Sequence, residues 1–127
     1  MKIEHAAIYV NDLKKAREFF EMYFEGKAGN LYRNQKTGFT SYFISFEDGA
    51  RLELMNRPNM KDMVKYLCRT GYAHLTFSTG SAENVDILTE RLRKDGYEII
   101  SGPRVTGDGY YESCVLGFEN NQIEITV

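Results

Sequence analysis

An internal repeat constrains this chain more than any other feature of its sequence. The strand and helix patterns of the first half recur in the second, and the only two histidines fall at the same place in each copy. In the first copy, residues 3–10 alternate as a strand. Asn11 or Asp12 then offers an N-cap, Leu13, Ala16, Phe19, Phe20 and Tyr23 recur at helical spacing, and Gly26 is a stop. A weak strand over 30–35, a stronger one over 40–46, a hairpin turn at Glu47-Asp48-Gly49 and a strand over 51–55 complete the unit. In the second copy, residues 72–77 read as a strand and Ser81 as an N-cap. Val85, Leu88 and Leu92 form a helical stripe ending near Gly96. A short strand over 97–100 precedes Gly102-Pro103. A longer one covers 110–116, Glu119-Asn120-Asn121 makes a turn, and 122–127 is the last strand.

The predicted order is therefore βαβββ, connector, βαβββ, which specifies an α+β fold with helices on one face of each sheet. The modules run over about 1–56 and 71–127. The connector, 57–70, carries Met60, Met63, Val64 and Leu67 at helical spacing and is expected to form a short helix. A length of 127 residues suits one domain. The net charge of −2 is spread along the chain, which argues against a nucleic-acid partner, and no basic amphipathic segment points to a membrane surface. Met1-Lys2-Ile3-Glu4-His5 runs directly into a strand pattern, and no stretch approaches the ~20 apolar residues that span a bilayer. Cys68 and Cys114 form no CxxC spacing, so they are expected to be reduced thiols of a cytoplasmic protein.

The repeat also aligns His5 with His74 and the closing strands Arg51-Leu52-Glu53-Leu54-Met55 and Gln122-Ile123-Glu124-Ile125-Thr126. Strand alternation sets Leu52 and Leu54 against Arg51, Glu53 and Met55, and Ile123, Ile125 and Val127 against Gln122, Glu124 and Thr126. It likewise sets Ala6, Ile8 and Val10 against His5, and Ala73, Leu75 and Phe77 against His74. The apolar sets should pack under the helices, leaving His5, Glu53, His74 and Glu124 on the opposite sheet faces. A lone strand histidine is more often structural than a ligand. Two imidazoles and two carboxylates in register form an N₂O₂ donor set for a divalent cation such as Zn²⁺, Ni²⁺, Co²⁺ or Fe²⁺. Ligand count alone fits a closed tetrahedral site or an octahedral site with open positions.

These segments, in particular "IEHAAIYVNDLKKAREFF", "ARLELM", "GYAHLTFS" and "NQIEITV", give the chain a resemblance to the vicinal oxygen chelate superfamily. That family includes glyoxalase I, bleomycin-resistance proteins, fosfomycin-resistance enzymes, extradiol dioxygenases and methylmalonyl-CoA epimerase. The resemblance covers almost the whole chain and implies one glyoxalase-like domain whose modules form a curved mixed sheet around a metal-binding cavity. The order His5, Glu53, His74, Glu124 is similar to the ligand order of glyoxalase I, whereas an epimerase-like pattern would place Gln at Glu53. The resemblance then implies a lyase or isomerase acting on the hemithioacetal of methylglyoxal and glutathione, or on another substrate with vicinal oxygens, through an ene-diolate. It implies Zn or Ni as the metal, Glu124 as the proton carrier, Glu53 as a second base, and a homodimer with shared sites. Alternatives within the resemblance are a non-catalytic antibiotic- or metabolite-binding protein, an epimerase and a dioxygenase. Two departures stand out: Phe118-Glu119-Asn120-Asn121 replaces the family's usual turn before the last strand, and Tyr9 stands where Arg is frequent.

Other side chains invite plainer readings. By alternation Glu4 points away from His5, as a surface carboxylate would. Arg51 shares the face of Glu53 and suits either an anionic substrate group or an ion pair. Tyr42, Phe43, Phe46, Tyr110 and Tyr111 read as core or cavity lining. Residues 104–110, with Gly107 and Gly109, form either a mobile loop or an ordinary hairpin connection.

Overall fold

The computed structural model describes residues 1–47 and 49–127. The chain divides into two compact units, Met1–Met63 and Val64–Val127. The architecture is α+β, with one mixed sheet and one long helix in each unit.

The first unit contains β1 (Ala6–Tyr9), α1 (Leu13–Phe24), β2 (Lys27–Ala28), β3 (Tyr32–Arg33), β4 (Thr40–Ser45) and β5 (Arg51–Asn56). Asp12 is the N-cap of α1, accepting from the Lys15 amide at 3.0 Å. That bond, its largest influence, holds the Asp12 carboxyl below its usual range. The helix buries Ala16, Phe19, Phe20, Tyr23 and Phe24 and ends at Glu25, with φ of 54°. Gly26 lies against the sheet, where an added Cβ would sit 2.4 Å from Ile44 Cγ2. The strand order is β1-β5-β4-β2, with β3 also pairing β4. Of the weak strand expected over 30–35 only Tyr32–Arg33 forms, and a second short piece, Lys27–Ala28, precedes it along the same neighbour, β4. The expected turn at Glu47-Asp48-Gly49 includes Asp48, which lies outside the described residues. β1 runs parallel to β5, with Ala7 opposite Glu53, and β4 runs antiparallel to β5, with Phe43 opposite Glu53.

The second unit contains β6 (His74–Ser78), α2 (Ala82–Lys94), β7 (Glu98–Val105), β8 (Tyr111–Leu116), a 3-10 turn (Phe118–Asn120) and β9 (Gln122–Thr126). Ser81 caps α2, accepting from the Asn84 amide at 3.2 Å. The buried stripe of α2 is Val85, Thr89 and Leu92, with Leu88 only part-buried. The order β6-β9-β8-β7 repeats that of the first unit, with β6 parallel to β9 and Thr76 opposite Glu124. β7 continues through the cis Gly102-Pro103 bond rather than stopping before it. As an edge strand with register shifts between Ile99 and Arg104, it tolerates a proline that cannot donate to the ladder. Residues 104–110 form a hydrogen-bonded hairpin connection, in which the Thr106 amide donates to Tyr110 O at 2.8 Å.

The connector helix is not formed. Met63 and Val64 are 77% and 71% exposed, so the apolar stripe has no packed face to support a helix too short to stand alone. Side chains hold the segment instead. Asn11 donates to Asp62 at 2.9 Å in the first unit. In the second, Lys65 donates to Glu119 O at 2.6 Å and Gln122 to Leu67 O at 3.0 Å.

Candidate metal centre

In the first unit, Leu52 and Leu54 are 2% and 0% exposed beneath α1, and Glu53 projects from the other face of β5. His5 immediately precedes β1, two residues before Ala7, the partner of Glu53. This brings His5 Nε2 to 3.8 Å from Glu53 Oε2. On the other side of the ring, His5 Nδ1 hydrogen-bonds Glu4, and Glu4 in turn meets Arg51. These two contacts, that to His5 first, hold the Glu4 carboxyl below its usual range. Phe43, across from Glu53 in the ladder, completes the cluster. Its ring meets the His5 imidazole edge-on at 5.3 Å, and Arg51 Cζ lies over it at 4.3 Å. Glu4 is exposed, as a surface carboxylate would be, but it turns toward His5 rather than away from it. It lies ahead of β1, where no ladder fixes its direction. Arg51 takes the ion-pair reading.

The second unit repeats the pair. Ile123 and Ile125 are 1% and 0% exposed, and Glu124 emerges on the opposite face. His74 Nε2 lies 3.0 Å from Glu124 Oε2, and the Thr76 hydroxyl donates to the same oxygen at 3.2 Å. Two neighbours escaped the sequence reading. Cys114 is opposite Glu124 in the β8–β9 ladder, and Glu112 is two residues further along β8. Burial, then the charge of Glu124, pushes up both the Glu112 carboxyl and the Cys114 thiol. The signal was available in 111–116. Ser113 and Val115 are buried on the helix side, so the alternate positions must share the face of Glu124.

Each expected histidine thus meets its expected glutamate. Among the described residues, no set of three or more His, Cys, Asp or Glu side chains is gathered as a metal site. The donor chemistry of each pair fits a divalent cation. Two adjacent ligands on a six-coordinate ion with bonds of about 2.1 Å lie about 3.0 Å apart, the separation of His74 and Glu124. The His5–Glu53 pair is wider, at 3.8 Å, so Glu53 would have to move toward the imidazole for the two to share an ion.

Residues 2–125 match the family model described as "Glyoxalase/Bleomycin resistance protein/Dioxygenase superfamily". The chain is 28% identical to the uncharacterized protein YqjT of Bacillus subtilis (strain 168) over 114 residues, 86% of this chain and 85% of that one. Among solved structures, a glyoxalase family protein from Bacillus cereus superposes with a TM-score of 0.84 at 18% identity, covering 99% of this chain and 93% of its own. The trypanothione-dependent glyoxalase I of Leishmania major gives a TM-score of 0.78 at 19% identity, with coverages of 99% and 86%. At these identities the structural likenesses establish the fold.

Proposed function

Because the chain belongs to the glyoxalase/bleomycin resistance protein/dioxygenase superfamily, we propose that it is a metal-dependent lyase or isomerase of the glyoxalase I kind. Its substrate would be the hemithioacetal of a 2-oxoaldehyde and a thiol, or a related molecule with vicinal oxygens. The observation that carries this reading is one His–Glu pair recurring at the same ladder position on the helix-free faces of two equivalent sheets.

His5, Glu53, His74 and Glu124 would hold one divalent cation, zinc or nickel. When bound, the ion supplies Lewis acidity toward the substrate's adjacent oxygens. The chain's own contribution is a proton carrier. Glu124, with Glu53 as a second base, takes a proton from one carbon and returns it to the neighbouring carbon. One C–H bond breaks, another forms, and no proton is lost overall. The Thr76 hydroxyl holds one oxygen of Glu124 and leaves the other for this exchange. Since the two pairs belong to different units of the chain, a homodimer in which each site takes one pair from each copy accommodates the same ligand set.

Metal analysis of protein purified without chelator tests the reading first, with about one Zn²⁺ or Ni²⁺ per chain expected. Protein that is metal-free and takes up neither added ion would sink it. Turnover of the methylglyoxal–glutathione adduct, compared with adducts of other thiols, tests the substrate. Metal binding without turnover of any adduct would remove the lyase assignment. Glu124→Gln should lower kcat by at least about a hundredfold, with the fold retained.

A further inference from the structure

The two histidines occupy equivalent positions, yet their surroundings differ. His74 Nε2 lies 3.0 Å from Glu124 Oε2. His5 is held at the other nitrogen. Its Nδ1 bonds Glu4, while Nε2 stands 3.8 Å from Glu53, beyond hydrogen-bond range. Glu4 is paired with the Arg51 guanidinium, so it remains a carboxylate and can only accept. The proton of a neutral His5 must then sit on Nδ1, and the lone pair of Nε2 faces Glu53. Arg51 is itself seated over the Phe43 ring, and that ring borders His5. Arg51, Glu4, His5 and Phe43 form a closed circuit that fixes both the tautomer and the plane of the imidazole.

We infer that Glu4 is a positioning residue that, with Arg51, presets His5 in the Nδ1–H form with Nε2 free to coordinate a cation, whereas among the described residues no carboxylate does this for His74. The coordination part rests on the metal-dependent reading above. The tautomer part stands on the metal-free protein alone. A carboxylate on the non-coordinating nitrogen orients a ligand imidazole and raises its basicity. In its absence the ring divides its time between tautomers and rotamers, and a cation must select the competent one.

The test uses long-range ¹H–¹⁵N correlation spectra of the full chain without metal, at a pH where imidazole is neutral. With two histidines in the sequence, both rings are resolved and assigned by His5→Gln and His74→Gln. His5 is expected as the Nδ1–H tautomer, and Glu4→Ala is expected to convert it to a mixture or to the Nε2–H form while the signals of His74 stay in place. Glu4→Ala should also weaken Zn²⁺ or Ni²⁺ binding about tenfold to a hundredfold in a chelator competition. A His5 ring that lacks the Nδ1–H form in the unaltered protein, or that keeps it in Glu4→Ala, overturns the inference. Unaltered protein that binds no cation overturns the metal-dependent reading and leaves the tautomer result to judge Glu4 separately.

Discussion

The contact between α2 and β8 supports a stability prediction that can be worked through atom by atom. Thr89 is fully buried. Its hydroxyl donates to Val85 O at 2.6 Å and lies 2.6 Å from Ser113 Oγ. A hydroxyl has one proton, and that of Thr89 is spent on Val85, so Ser113 must be the donor to Thr89. Thr89→Val removes the acceptor of a serine that is 1% exposed and puts a methyl group against its oxygen. An unpaired buried hydroxyl costs about 1–3 kcal/mol, and the added methyl returns at most about 1 kcal/mol, so a net loss of about 1–2 kcal/mol is expected. Ser113→Ala leaves the bond to Val85 intact and should cost only about 0.5–1 kcal/mol. The double variant has no orphaned hydroxyl and room for the methyl group, so it should be more stable than Thr89→Val alone. Urea unfolding at constant m-value reads all three as midpoint shifts. A double variant that loses the sum of the single losses, about 1.5–3 kcal/mol, would refute the donor assignment and the reasoning built on it.

Two further outcomes follow from the same unit. Burial, followed by the charge of Glu124, raises the Glu112 carboxyl above its ordinary value of 4.5, so the folded protein holds that proton to higher pH than the unfolded chain. The resulting stabilisation is complete below the ordinary value and is lost as pH rises through the raised one. In metal-free protein Glu112→Gln should therefore raise the thermal midpoint at neutral pH and leave it unchanged near pH 3, and a pH-independent effect would be inconsistent with this origin. Gly102 has φ of 81°, and an added Cβ would lie 2.4 Å from the Glu112 carbonyl oxygen. Gly102→Ala should cost about 2 kcal/mol or more through strain and backbone displacement. A variant with an unchanged denaturation midpoint would contradict it.

Much of this architecture is legible in the sequence because each module states its pattern twice. The aromatic stripe of α1, the caps Asp12 and Ser81, and the alternation of Leu52, Leu54, Ile123 and Ile125 all appear where local spacing places them. The failures share one cause. At Met63 and Val64, helical spacing exists without a surface to pack on, and spacing alone does not offset the cost of nucleating a short helix. At Gly102-Pro103, a local stop signal is overridden because an edge strand can absorb a bulge. At Thr89, the helical stripe was read from apolar residues, while the buried position is filled by a hydroxyl whose partner, Ser113, is 24 residues away.

The candidate site shows the same limit more sharply. The repeat identifies His5, Glu53, His74 and Glu124 as equivalents, because it reports positions that the two modules share. What distinguishes the modules is visible only once the ladders are in register. Opposite Glu53 stand Ala7 and Phe43, and opposite Glu124 stand Thr76 and Cys114. Ala7 has no polar side chain, whereas Thr76 donates to Glu124. Phe43 carries an aromatic face for Arg51 and an edge contact for His5, whereas Cys114 offers a buried thiol. The first module thus restrains its imidazole, from the side remote from Glu53, and the second restrains its carboxylate. Glu124 thus has one carboxylate oxygen held by the Thr76 hydroxyl, and Glu53 faces no such donor across either of its ladders.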